Sequence, residues 1–468
     1  MTKTAHPFMA NATEAIKQEM LKSIGVNQIE DLFVEIPKEH IATGNIRLAD
    51  PLTSEISLKR HILNILKKNM YCEDTINFLG AGCWQHHVPA ICDEIANRSE
   101  FLTSMWGIPS ADHGRNQAWF EYASQLGELV DLEIVSLPVY SWGCAAGHAI
   151  RMASRLTHRY NVLIPEIMCP ERLSVIKNYC QPENTRNRIE ITQIKSDEKN
   201  SLLDLLDLEK HLSASVCAIY IEIPNFLGVI ETQMKMIADL ATKYGSELII
   251  GVDPTCLGIL ASPASLGADI VVGTTQPLGI HMNFGGGLGG FIATRDEERY
   301  AREYNALMVS IGTTLKPDEY GFSRPLMHQS SYGLREQGKD WTGTSVYLWA
   351  VVNAVYMSTL GPQGFKELGE NILRNSIYAA QKISEIPNVQ IKFKHGFFKE
   401  FVIDFTATGK TVEQINTGLL RKGIFGGLDL STHFPNYGQT ALWAVTEVHS
   451  LKEIDQAVKA LQEVLENE

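Results

Sequence analysis

The chain of 468 residues has no apolar run of the about 18 residues that a membrane-spanning helix requires, and Met1 to Ala10 lack the apolar core of a secretory signal. Neither membrane insertion nor export is expected, which leaves the cytoplasm. Basic side chains are also in short supply: 41 Lys and Arg stand against 54 Asp and Glu, a formal net charge of −13. Nucleic acid and anionic membrane both select clustered Lys and Arg, so neither is an expected partner. Small molecules or other proteins fit better. The eight cysteines lie singly at 72, 83, 92, 144, 169, 180, 217 and 256 with no CxxC pair, so neither a zinc site nor a disulfide framework is indicated and no metal is expected. Repeats and low-complexity tracts are absent as well.

What is present changes character along the chain. Up to about residue 60, short helical patterns such as Thr13 to Ile24 alternate with polar turns, which makes residues 1–60 an arm rather than a domain. From Val162 onward the apolar runs become continuous, as in Val216-Cys-Ala-Ile-Tyr-Ile-Glu-Ile223, Glu247-Leu-Ile-Ile-Gly-Val252 and Asp269-Ile-Val-Val-Gly273. Strands covered on both faces read this way. Helical periods between them, notably Met234 to Tyr244, give the order strand, helix, strand, hence a large α/β domain with a mainly parallel sheet over 61–345. Residues 346–468 then read as a linking helix and a small α/β domain. Helices are expected at Ser345 to Leu360, ending in Gly361-Pro362, and from Gln363 to about Ile386, with strands at Val389 to Phe393, Glu400 to Phe405 and Ala441 to Thr446. Two further helices fall at Thr411 to Lys422 and Leu451 to Leu465, the latter with Ile454, Val458, Leu461 and Val464 on one stripe.

A large parallel sheet, a helical crossing and a small C-terminal α/β domain make the plan of aminotransferase-like enzymes, the fold type I pyridoxal-phosphate-dependent transferases. Their chemistry needs a carboxylate against the pyridine nitrogen and a lysine that carries the cofactor as a Schiff base. Asp253, at the end of Leu248-Ile-Ile-Gly-Val252, is placed as that carboxylate would be. The lysine is missing. Its place after the next strand reads Thr274-Thr-Gln276-Pro-Leu, and the first lysine beyond is Lys316, too far along to share that strand end.

Collinear motifs narrow the resemblance. Ile223-Pro-Asn-Phe-Leu-Gly-Val-Ile-Glu231, Gly251-Val-Asp-Pro-Thr-Cys-Leu-Gly-Ile259, Gln276-Pro-Leu-Gly-Ile280 and Phe284-Gly-Gly286 resemble subunit 1 of the two-subunit glycine dehydrogenase (decarboxylating), the P-protein family of the glycine cleavage system. Phe78-Leu-Gly-Ala-Gly82, Arg98-Ser-Glu-Phe101, Arg335-Glu-Gln337, Gly423-Ile-Phe-Gly-Gly-Leu-Asp-Leu430 and Ala444-Val-Thr-Glu447 continue the resemblance from about residue 15 to the end. It implies a non-lysine subunit, with glutamine at 276, that completes the active site of a lysine-bearing subunit 2-like homologue. The pyridoxal phosphate is then held covalently by that partner, glycine or another small amino acid is the substrate, and a lipoyl carrier protein takes up the aminomethyl group.

Other segments depart from the family pattern. After Arg-Ser-Glu-Phe the family has a Tyr-Thr-Pro-Tyr-Gln-Pro-Glu run, and this chain has Thr103-Ser-Met-Trp-Gly-Ile-Pro-Ser-Ala-Asp-His-Gly114. Tyr-Asp-His-Tyr has become Trp84-Gln-His-His87, Tyr-Asp-Gly-Ala-Thr-Ala has become Tyr140-Ser-Trp-Gly-Cys-Ala-Ala-Gly147, and His-Pro-Glu has become Cys169-Pro-Glu171. The basic segment after Arg-Glu-Gln has become Gly338-Lys-Asp-Trp-Thr-Gly-Thr-Ser345. Such changes leave two other uses open, a divergent paralogue acting on another amino acid or amine and a non-catalytic scaffold or regulatory subunit.

The candidate site residues follow. Asp253, Gln276 and Gly143 would line a cofactor position without covalent attachment; His86, Trp84, Asn225, Gly285 and Gly286 would face substrate or the interface; no residue of this chain is expected to be catalytic. Each has a plainer use. Asp253 also suits a helix N-cap before Pro254, and Gly285-Gly-Gly287 suits a tight turn as well as close approach to a phosphate. Gly143 stands where a helix start binds an anion or simply packs. His86 and His87 are adjacent and point apart, which argues against a metal pair. Cys169 reads as an inert buried thiol or a nucleophile.

Overall fold

The computed structural model describes residues 8–42, 44, 48–102, 109–183, 187–305, 308–323, 338–340 and 342–466. Arg335-Glu-Gln337 and the start of the altered 103–114 segment therefore lie outside the described residues. Two compact units divide the chain, Met1–Asn69 and Met70–Glu468. The first carries a helix at Glu14–Ser23, where the sequence places one, and a second at Glu55–Leu66, capped by the Ser54 side chain, which accepts from the Ser57 N–H. No residue of that second helix is buried, and its Ile56, Leu58, Ile62, Leu63, Ile65 and Leu66 are all exposed.

The second unit is built on a seven-stranded sheet: β1 (Ile134–Val135), β2 (Asn161–Pro165), β3 (Glu190–Ile194), β4 (Val216–Ile223), β5 (Glu247–Val252), β6 (Ile270–Thr274) and β7 (Gly290–Thr294), in the order β1-β7-β6-β5-β4-β2-β3. Neighbours from β6 through β5, β4 and β2 to β3 are parallel, and β7 alone runs against both its neighbours. Every residue of β4, β5 and β6 is buried. The reason lies in the alternation of side chains: Leu248, Ile250 and Val252 enter one apolar core, whereas Ile249 enters a second core on the other face. Helices α1 (Trp142–Thr157), α2 (Pro170–Cys180) and α3 (Met234–Tyr244) connect the strands.

The expected pair of helices at 345–386 is one run, α4 (Tyr347–Ser384), broken at Gly361, whose φ of 58° puts a left-handed residue just before Pro362. Proline cannot donate to the ladder there, so the sequence signal for a boundary became a kink. A smaller sheet follows, β8 (Gln390–Ile391), β9 (Glu400–Asp404), β10 (Leu428–Asp429) and β11 (Thr440–Ala444), antiparallel in the order β8-β9-β11-β10. With α5 (Val412–Leu420) and α6 (Leu451–Glu466) it encloses its own core, into which Ile454 and Leu461 are fully buried and Val458 and Val464 partly. Strand β8 is shorter than the expected Val389 to Phe393 because the Val389 N–H still bonds the Ile386 carbonyl at the helix end.

One local feature brings the two sheets together. Residues Ile76–Asn77 pair in parallel with Ile424–Phe425, and the Phe78 carbonyl accepts from the Ala444 N–H. This pins the following loop, Leu79 to Val88, between the small sheet and the ends of β4 to β6.

Candidate functional site

Asp253 follows directly on the end of strand β5 and is buried. Its Oδ1 accepts from the Thr255 N–H at 3.1 Å and from the Thr255 hydroxyl at 2.9 Å, so it caps the short 3-10 helix Pro254–Gly258. The other oxygen, Oδ2, lies 2.7 Å from the Nζ of Lys399, which enters from the start of β9 and is equally buried. The Lys399 ammonium also sits 4.0 Å over the Trp84 ring and donates to His86 Nε2 at 2.8 Å. With Nε2 accepting, the ring's other nitrogen donates: His86 Nδ1 lies 2.8 Å from Glu447 Oε2, while Glu447 Oε1 accepts from the His87 N–H at 2.7 Å. Next to Lys399, the Glu400 carboxylate accepts from the Ala81 N–H at 2.6 Å, and burial pushes its pKa up.

A second buried ion pair lies alongside. Arg172 on α2 donates through Nε and Nη2 to both oxygens of Glu222 on β4, at 2.6 and 2.8 Å, and Tyr220 donates to the same carboxylate at 2.7 Å. The guanidinium stacks 4.0 Å from the Trp142 ring. Trp142 begins α1, whose N-cap Ser141 accepts from the Cys144 N–H. Its indole lies against the sheet: a Cβ on Gly251 would fall 2.9 Å from Trp142 Nε1 and 2.8 Å from the Tyr220 hydroxyl. Between Asp253, Lys399, Trp84, Trp142 and Arg172 only about 20 Å³ of space is left, near the room one water needs. A larger cavity of about 370 Å³ opens beside it, bounded by Ser141, Gly143, Cys169, Arg172, Thr274 and His433.

Gln276 follows β6 and is fully buried, and its amide is fully used. Nε2 donates to the carbonyls of Trp84 at 2.9 Å and Ile280 at 3.2 Å, and Oε1 accepts from the Trp84 N–H at 3.2 Å. The structure thus brings Asp253, Gln276, Trp84 and His86 into one cluster and sets Gly143 at the rim of the larger cavity. Asn225 lines the small void, but its side chain shapes a turn, accepting from the N–H groups of Leu227 and Val229 and donating to Ser201. Gly285 and Gly286 lie in an exposed loop, where Gly285 takes φ 81° and only it reaches the larger cavity. Cys169 is buried at the start of α2, where burial pushes its thiol pKa up, away from the reactive thiolate.

Comparison with known proteins decides the family. Residues 8–461 match the family described as glycine cleavage system P-protein. The chain belongs to the glycine cleavage P-protein family. Its relatives include the proteins named probable glycine dehydrogenase (decarboxylating) subunit 1 from Saccharolobus solfataricus, 37% identical over 99% of this chain and 98% of the relative, and from Thermococcus onnurineus, 36% identical over 96% and 98%. A solved structure of glycine decarboxylase (P-protein) of the glycine cleavage system, in inhibitor-bound form, superposes with a TM-score of 0.85 at 29% identity, covering 99% of this chain and 100% of that one. A sphingosine-1-phosphate lyase from Burkholderia pseudomallei, at 15% identity and a TM-score of 0.63, shares the fold alone. The aminotransferase-like architecture expected from the sequence is the one found.

Against the chemistry of its family, the P-protein site of this chain does not fit pyridoxal phosphate. The carboxylate that a pyridine nitrogen would need is already paired with Lys399, the residue beyond the next strand is an amide with both its N–H donors engaged, and about 20 Å³ remains where a ring would lie. Ligand pockets run from about 300 Å³ upward. Lys399, Glu447, Arg172 and Glu222 went unread as site residues. Glu222 carried a usable signal, since a carboxylate within the otherwise apolar run Val216 to Ile223 must find a buried partner.

The relay from Glu447 through His86 to Lys399 should make this chain sensitive to acid. Burial alone would push the Glu447 carboxyl up, but the His86 ring and the His87 N–H outweigh it and hold it at about 2. A carboxyl depressed on folding contributes stability above its unfolded pKa of about 4.3, and that contribution is lost as pH falls toward the folded value. Thermal unfolding between pH 5 and 2 should therefore show the wild-type Tm falling more steeply than that of Glu447→Gln, and parallel slopes would show that the carboxylate is not engaged.

Proposed function

We propose that this chain is subunit 1 of a split glycine dehydrogenase (decarboxylating), a lysine-lacking half that completes the active site of a lysine-bearing homologue. The observation that carries the reading is Gln276, buried at the end of β6 with its amide locked to the Trp84 and Ile280 backbone. No Schiff base can form on it. Pyridoxal phosphate belongs to the partner and supplies the electron sink for loss of carbon dioxide from the amino acid. This chain supplies a wall of the shared pocket, part of the path for the lipoyl arm of a carrier protein, and the subunit contact. Support for the contact comes from the Glu55–Leu66 helix, whose exposed apolar side chains form a surface of the kind another chain covers.

The test is reconstitution. The purified chain alone should give no internal-aldimine absorbance with pyridoxal phosphate, and borohydride should fix no cofactor on it. Co-expressed with a lysine-bearing homologue, it should form a stable complex burying well over roughly 2,000 Å², and carbon dioxide exchange into glycine should need both chains. Failure to co-purify under any mild salt condition would remove the reading. A complex whose partner is equally active alone would make this chain a scaffold.

A second reading, another amino acid or amine as substrate, is favoured by where the altered segments meet. Two of them touch: the Gly343 N–H bonds the Tyr140 hydroxyl at 2.6 Å, and the same 338–345 segment is anchored on α1, where Asp340 pairs with Arg151 and Arg155 and Thr342 packs against His148. Independent drift would not place the changes side by side.

A further inference from the structure

We infer that Lys399 is an intramolecular substitute for the cofactor's ring nitrogen, so that the chain carries a self-filled version of its family's pocket. The inference goes beyond the proposed subunit role, because it concerns how this chain is held together without cofactor and holds whatever substrate the complex uses.

The argument is one of charge and space. A buried carboxylate without a cation is costly, and in the family's chemistry the cation facing the carboxylate at the end of this strand is a protonated pyridine. Here Asp253 Oδ2 has instead the Lys399 ammonium at 2.7 Å. A pyridinium is flat and stacks on a ring, and the ammonium reproduces that as well by lying 4.0 Å over Trp84. Its remaining protons are directed to an acceptor, His86 Nε2 at 2.8 Å, which Glu447 fixes in the accepting tautomer. The backbone is shaped for this arrangement. Gly228, at φ 85°, lets the loop after β4 approach the β9 strand so closely that a Cβ would lie 2.0 Å from the Glu400 carbonyl oxygen, beside Lys399. Trp142 and Arg172 take up the rest, leaving about 20 Å³. The adjoining cavity of about 370 Å³ does not include Asp253 in its wall, so a cofactor lodged there would not meet the strand-end carboxylate.

The experiment uses the full-length chain and three probes: pyridoxal phosphate by absorbance, pyridoxal phosphate with borohydride and peptide mass spectrometry, and pyridoxamine 5′-phosphate by thermal shift. The wild-type chain should show no saturable one-to-one response to any of them. Stoichiometric binding, or an adduct on Lys399, overturns the inference. Lys399→Ala removes the cation and opens the space, so its Tm should fall, and millimolar pyridoxamine 5′-phosphate should raise it again by about 2 °C or more while leaving the wild type unmoved. An identical response of the two proteins overturns the inference. If Lys399→Ala does not fold, the pair Lys399→Met and Asp253→Asn with Lys399→Met decides: the double variant should be more stable than the single one, because it leaves no unpaired charge, and equal damage in both counts against the substitution of Lys399 for a ring. None of these readouts depends on a partner, so subunit activity can fail while this stands, or the reverse.

Discussion

Glu222→Leu should destabilise the chain by about 3–5 kcal/mol, the cost of leaving one member of a buried ion pair uncompensated. The Arg172 guanidinium is buried, gives two hydrogen bonds to Glu222 and is shielded on one face by Trp142, so water replaces the lost carboxylate poorly. Arginine does not deprotonate in proteins even when its partner carboxylate is gone, so the cation cannot escape the penalty by losing its proton. Tyr220 would lose its acceptor in the same change. Replacing both partners, as in Arg172→Met with Glu222→Leu, should recover most of the loss, since apolar side chains of similar volume do without the desolvation cost. Denaturant unfolding of the four proteins in a double-mutant cycle checks this. Additive single losses would show that the two side chains do not act together.

That cycle probes the part of the site that the sequence conceals. Continuous apolar runs made β4, β5 and β6 readable because both sheet faces are covered, and Gln276 was readable as the residue just beyond β6 because a strand end fixes a position within a residue or two. Asp253 was placed correctly at the end of β5, yet nothing local distinguishes a carboxylate awaiting a ring from one already paired. Its partner Lys399 arrives from a different sheet, and spacing along the chain carries no record of such a contact. The glycines are equally hard to place from sequence. Gly285 and Gly286 lie in an exposed turn, and Gly228, an unremarked residue of a matching motif, is the one whose missing side chain admits β9. Glycine marks a backbone need, and only the fold says which.

Exchanging Thr103 to Gly114 and Gly338 to Ser345 for the family pattern should raise carbon dioxide exchange into glycine by at least tenfold in the reconstituted complex, if about 1.4 kcal/mol of transition-state stabilisation is at stake. The second segment has a route to the pocket. The Asp340 side chain is largely covered, and although burial would push its carboxyl up, His148, Arg155 and Arg151 outweigh that and hold it ionised below the usual range. All three partners stand on α1, the helix whose first turn, Ser141 to Gly143, walls the cavity of about 370 Å³. Loosening the 338–345 anchor therefore frees the helix start that faces the cavity. The competing expectation is that both segments only pack against neighbouring chain, so that their exchange weakens assembly and leaves the preference among amino acids unchanged. Rates with glycine and with larger amino acids, measured beside complex stability on the same exchanged protein, separate the two: a shifted ratio in an intact complex assigns these segments to substrate choice, and an unshifted ratio removes the specialised-substrate reading.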